Sequence, residues 1–224
     1  MSEHTLLIAR TTVRMYLPDN GQHLPLFISF LSPEEGAQLA ALLADRAVLA
    51  VIDEADWEGC FSPWPAPKVF KQGADFAGGA DVYIQRLHAT LLPEIENRCG
   101  LNPCWRGVLG YSMAGLLAAY AAYRAPLFAR VAAVSASLWF DGWTDFAAAE
   151  RLVHAPQYAY FSVGEQEHKA KNPRLAQIET ALLATGKQWQ AQGVATHFER
   201  NPGGHFDDAP ARLAKAAAWL LAQP

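Results

Sequence analysis

Alternation constrains this chain more than any other feature: short β-compatible apolar runs are separated repeatedly by stretches long enough for a helix. Residues 47–52 form a continuous apolar run of the kind shown by a strand buried on both faces. Residues 105–109, 131–135, 158–163 and 194–199 repeat the theme, and 24–30 is also β-compatible. Between and after them lie helical segments over 33–44, 81–98, 113–123, 172–192 and 209–221. The first has Ser32 as N-cap, Pro33 at its first position and Glu34 and Glu35 facing its positive end. Helices inserted between strands make crossover connections, so the expected fold is a three-layer α/β sandwich, a mostly parallel sheet with helices on both faces. Two runs at 5–9 and 12–16, followed by Pro18-Asp19-Asn20-Gly21, fit antiparallel edge strands at the N-terminal side.

No repeat or linker divides the 224 residues, of which 51% are hydrophobic, so one domain over 1–224 is expected. Residues 53–79 break the alternation with Trp57, Trp64, Pro63, Pro65, Pro67 and four glycines. So long a loop within a compact domain is usually functional.

Composition excludes several function classes. A net charge of −4 gives no basic footprint, so nucleic acid is not an expected partner. The first apolar run, Leu6 to Ala9, is far too short for a membrane span, and no basic start precedes it, so a cytoplasmic protein is expected. Cys60, Cys99 and Cys104 form no Cys-x-x-Cys pair. No Gly-x-Gly-x-x-Gly, Walker loop or His-Glu-x-x-His occurs, and neither cofactor nor metal is expected.

Ligands of such a sheet bind at the carboxyl ends of its strands. There, Gly110-Tyr111-Ser112-Met113-Ala114-Gly115 joins the strand at 105–109 to the helix at 113–123. A sharp strand-to-helix turn needs small neighbours and aims a serine oxygen out of the sheet. It also leaves the Met113 N–H free at a helix start, half of an oxyanion hole. Ser112 is therefore the candidate nucleophile, with a helix-capping serine as the bland alternative.

A serine hydroxyl needs a neighbouring base. His205 follows Asn201-Pro202-Gly203-Gly204, after the last strand and before the last helix, whereas His4, His88, His154 and His197 occupy uninformative positions. An orienting acid belongs between the two in chain order, after the strand at 158–163, where Gly164-Glu165-Gln166-Glu167-His168 offers Glu165 and Glu167.

These segments resemble the esterase D and enterochelin-esterase (Fes/IroE-like) branch of the α/β hydrolases, from about Leu24 onward. Residues 110–115 look like its Gly-Tyr-Ser-x-Gly-Gly elbow, with Ala114 replacing the first paired glycine. Ser135-Ala136-Ser137-Leu138-Trp139 is similar to its Ser-x-Ser-x-Ser-x-Trp segment. Residues 164–168 resemble its Gly-x-x-Glu loop, and Gly203-Gly204-His205 its Gly-x-His. The resemblance implies an α/β-hydrolase fold and a Ser112–Glu167–His205 triad cleaving a small-molecule carboxylic ester or thioester through an acyl-enzyme, and it favours Glu167 over Glu165. The branch's His-Gly segment is missing. The chain reads Phe30-Leu31-Ser32, leaving the N–H of Leu31 or Ser32 as the expected second oxyanion donor. Trp57, Trp64, Trp139 and Tyr111 are expected to wall the substrate pocket. The alternative is a hydrolase-like binding or regulatory protein without catalysis.

Overall fold

In the computed structural model, which describes residues 1–224, β1 (Ser2–Ile8) and β2 (Thr11–Leu17) form an antiparallel hairpin. Its two-residue turn is Ala9-Arg10, with φ of 47° and 69°. This is the handedness that matches the twist of the flanking strands. Pro18 to Gly21 leads instead into a single 3-10 turn, Gly21–His23. Then come β3 (Leu26–Ser29), α1 (Pro33–Leu43) and β4 (Val48–Ile52). A complete capping box starts α1: Ser32 Oγ accepts from the Glu35 N–H at 3.3 Å, and Glu35 accepts from the Ser32 N–H at 3.1 Å.

Residues 53–79 hold more order than their composition suggests: a one-turn helix, α2 (Trp57–Cys60), and a ribbon of two-residue strands, β5 (Pro65–Ala66) and β6 (Phe76–Ala77). The helix expected over 81–98 is continuous but passes through a π turn, Leu87–Leu91, between α3 (Ala80–Arg86) and α4 (Leu92–Cys99). Pro93 lies just beyond this turn and lacks the N–H that regular helical pairing needs.

The chain continues through β7 (Arg106–Tyr111), α5 (Met113–Ala121), β8 (Arg130–Val134), α6 (Trp143–Ala149) and β9 (Tyr158–Gly164). It closes with α7 (Ile178–Ala191), β10 (Ala195–Asn201) and α8 (Ala209–Leu221). The sheet order is β1-β2-β4-β3-β7-β8-β9-β10. Strands β4 to β10 in that order are parallel, and within the N-terminal hairpin β2 runs antiparallel both to β4 and to the edge strand β1.

Strand alternation feeds two cores. Ile28, Val48, Ala50 and Val108 face α3, α5, α6 and α7, while Phe27, Leu49, Val51 and Leu109 face α1 and α8. Every residue of α5 is buried, which is why its sequence is apolar all round. The result is the three-layer α/β-hydrolase-like fold. No helix is long and apolar enough to cross a membrane.

Candidate active site

Ser112 sits between β7 and α5 with φ 54° and ψ −119°, a conformation that non-glycine residues adopt only when their surroundings enforce it. Those surroundings are backbone: the Ser112 N–H donates to Val134 O (3.1 Å), and Ser112 O accepts from the N–H groups of Leu116 (3.1 Å) and Ser137 (3.0 Å). A Cβ on Gly110 would lie 2.3 Å from Ala114 O, and one on Gly115 would lie 2.6 Å from Ala136 Cβ. The close approach therefore demands glycine at 115 rather than 114. Ala114, which replaces the first glycine of the pair, is itself fully buried.

The candidate base and acid, His205 and Glu167, sit on adjacent loops. Beyond the β9–β10 pairing, the Glu165 N–H donates to Asn201 O (2.8 Å) and the Gln166 N–H to Gly203 O (3.0 Å). Gly164 is needed at this crossing, since a Cβ there would come within 2.7 Å of Gly203 O and 2.9 Å of Glu167 Oε1. Gly203 has φ +87°, and the Gly204 N–H donates to Asp207 Oδ2 at 2.7 Å, closing the turn that carries His205.

These constraints bring Ser112, His205 and Glu167 into one chain of contacts. His205 Nε2 lies 3.0 Å from Ser112 Oγ, and His205 Nδ1 lies 2.7 Å from Glu167 Oε2. The other oxygen of Glu167 accepts from Ser135 Oγ (2.7 Å) and the Gly164 N–H (2.6 Å). Burial pushes the Glu167 carboxyl up, but hydrogen bonds from His205, Ser135 and the Gly164 N–H outweigh it and hold the group below the usual carboxylate range. Glu165 is exposed, on the far side of its loop.

The Met113 N–H heads α5 and has no acceptor within the chain. Leu31 lies two residues beyond β3, whose register pairs Ser29 with Leu109. This sets Leu31 level with Tyr111, and its N–H also has no acceptor within the chain. The Ser32 N–H is engaged by Glu35. No group of three or more His, Cys, Asp or Glu side chains is arranged to hold a metal ion.

A cavity of about 360 Å³ opens over Ser112. Trp139 lines it together with Val69, Phe70, Phe76, Leu175 and Ile178. Three residues expected there lie elsewhere. Trp57 packs on Phe61, and its indole N–H donates to Glu54 O. Trp64 packs among Tyr120, Phe140 and Phe146 and donates to Asp141 O at 2.8 Å. Trp64 thus fastens the 53–79 segment onto the rest of the domain, whereas the contacts of Trp57 brace the segment internally. Tyr111 lies in the opposite core, where its hydroxyl donates to His205 O (2.7 Å). Facing away from the cavity follows from strand alternation, since its neighbour Ser112 faces into it.

Sequence reasoning missed Arg212 altogether. The guanidinium is buried beneath the site, where Nη1 reaches Tyr111, Ser135 and Glu167 and Nη2 donates to the carbonyls of Pro202 (2.7 Å) and Gly204 (2.8 Å). The available signal was a charged residue in register with the stripe Leu213, Ala216, Ala217 and Leu220 on α8's buried face.

Comparison with known proteins agrees with this architecture. The family model Esterase, described as "Putative esterase", matches residues 7–209. The uncharacterized protein YbbA of Bacillus subtilis is 25% identical over 131 residues, covering 57% of this chain and 51% of YbbA, so the match spans about half of that relative. Among solved structures, an IroE-like serine hydrolase from Shewanella oneidensis superposes with a TM-score of 0.80 at 16% identity, covering 98% of this chain and 79% of its own. The siderophore hydrolase EstB of Aspergillus nidulans gives 0.76 at 17% identity, with 97% and 92% covered. The enterobactin hydrolase IroE in complex with DFP gives 0.72 at 18%, with 99% and 95% covered.

Proposed function

The chain belongs to the esterase family, and from that premise we propose that it cleaves a small-molecule carboxylic ester through an acyl-enzyme on Ser112. The observation that carries this reading is the unbroken contact chain from Ser112 Oγ through His205 to Glu167 at the floor of the cavity. His205 Nε2 removes the hydroxyl proton as Ser112 Oγ attacks the carbonyl carbon. Glu167, held as an anion, accepts a hydrogen bond from the Nδ1–H, which fixes the tautomer and stabilises the imidazolium that forms. The Met113 and Leu31 N–H groups receive the developing oxyanion, Met113 with the α5 dipole behind it. His205 then protonates the departing alkoxide, and a water deprotonated by the same nitrogen releases the acid.

The apolar lining from Val69, Phe76, Trp139, Leu175 and Ile178 suits an aliphatic or aromatic group on the substrate. Thioesters share this chemistry. The test is labelling by a fluorophosphonate probe together with turnover of p-nitrophenyl acetate and a panel of acyl esters, thioesters and amides. Wild-type protein labels and turns over esters, and Ser112→Ala does neither. Undiminished labelling of Ser112→Ala would sink the assignment.

A further inference from the structure

Arg212 is 4% exposed and belongs to α8, the helix behind the sheet. It does not line the cavity, yet it touches both Glu167 and the turn that carries His205. On one side Nη1 lies 3.4 Å from Glu167 Oε1 and donates to the hydroxyls of Ser135 and Tyr111, each at 3.2 Å. Those hydroxyls pass the contact on, Ser135 to Glu167 and Tyr111 to His205 O. On the other side Nη2 bridges the carbonyls of Pro202 and Gly204, the turn that carries His205. A buried, fully committed guanidinium is costly to desolvate and is tolerated where its fork meets several acceptors at once.

We propose that Arg212 is a positioning residue for the reaction, a buried clamp that fixes the His205 turn against Glu167 and adds a positive charge behind the carboxylate. It rests on Ser112, His205 and Glu167 acting as described above. The other charged groups around the pair are Asp207, Glu165, His168 and Lys169 on the two loops, with Lys68 and Glu58 along the cavity. All of these are exposed or half-buried, so water screens them, whereas the Arg212 charge acts through protein. Two consequences follow. A loosened His205 turn lowers kcat while leaving substrate contacts, and hence KM, in place. Loss of the charge strengthens the imidazolium–carboxylate attraction across the 2.7 Å contact, so the acid limb of kcat/KM moves upward.

The experiment compares Arg212→Met and Arg212→Lys with wild type on one p-nitrophenyl ester across pH, with thermal melting and near-UV circular dichroism on each protein. Arg212→Met is expected to lose about 10- to 100-fold in kcat with KM within about threefold, and its acid limb to rise by more than about half a pH unit. Arg212→Lys keeps the charge but cannot span both sets of acceptors, so its kcat falls between the two and its limb stays in place. Should Arg212→Met fail to fold, Arg212→Lys decides alone: an intermediate kcat supports the clamp, and wild-type kcat overturns it. Wild-type kcat or an unmoved acid limb in folded Arg212→Met also overturns it. Failure of the wild-type protein to label with fluorophosphonate at Ser112 would instead defeat the underlying triad reading, and is read out separately.

Discussion

The floor and the roof of the cavity are built on different physical terms. In the floor, Ser112, Ser135 and Glu167 each have several partners, two of them sit at positive φ, and the glycines beneath leave no room for a Cβ. The roof is the tip of the 53–79 segment, where residues 70–75 are all exposed. It is anchored by a few contacts, Asn172 Nδ2 to Val69 O (3.3 Å) and Arg174 Nη1 to Pro67 O (2.9 Å), and braced within itself by the Lys68 N–H to Asp75 Oδ1 (3.1 Å). A floor so over-determined holds reacting atoms in register. A roof so lightly held opens at low cost and can adapt to what lies beneath it. The division assigns chemistry to the floor and selectivity to the roof.

The sharpest way to break that division is at the nucleophile. Ser112→Ala should lower kcat by about 10⁵-fold or more on p-nitrophenyl acetate with its melting temperature preserved. Glu167→Gln should cost about 10⁴-fold, since an amide favours the wrong imidazole tautomer. The same variant sharpens the comparison through pH. Because the folded Glu167 carboxyl is held below its ordinary range, its contribution to stability is present above that range and is lost as pH falls through the depressed native value. Denaturant titrations of wild type and Glu167→Gln should therefore differ most near neutrality and converge in acid. Next, Gly115→Ala should destabilise by about 1–3 kcal/mol through overpacking against Ala136, seen as a lower denaturation midpoint. The smallest effect belongs to the roof. Phe70→Ala should leave stability within about 0.5 kcal/mol and change KM for aromatic esters by no more than about tenfold. A kcat loss in Phe70→Ala comparable to Glu167→Gln would erase the distinction between the two regions.

The fold was legible because elements buried on all sides write continuous apolar runs, and the strand β4 and the helix α5 are the plainest cases. The candidate site was legible where local backbone dictates position: Ser112 lies at a strand-to-helix junction, and His205 beside glycines after the last strand. The glutamate choice could not be made from local pattern, since Glu165 and Glu167 differ only in which way a 3-10 turn, Glu167–Lys169, points them. Tryptophans misled for a physical reason. An indole on an irregular segment serves equally well as a pocket wall or as a structural tie, and only the positions of the Asp141 and Glu54 carbonyls made Trp64 an anchor to the domain and Trp57 a brace within its own segment. Arg212 was invisible for the opposite reason. Its partners are backbone carbonyls and side chains far away in sequence, which no local spacing encodes.

The two hydrogen bonds that prolong the β9–β10 ladder past Gly164 and Asn201 join the acid loop to the base loop by main chain alone. Glu167 and His205, the proposed acid and base, are thus borne on one mechanical unit. Local opening of that short ladder disassembles both together, and an insertion in either loop shifts the other. Redesign of the acid's position must accordingly treat residues 164–167 and 201–205 as a single cassette.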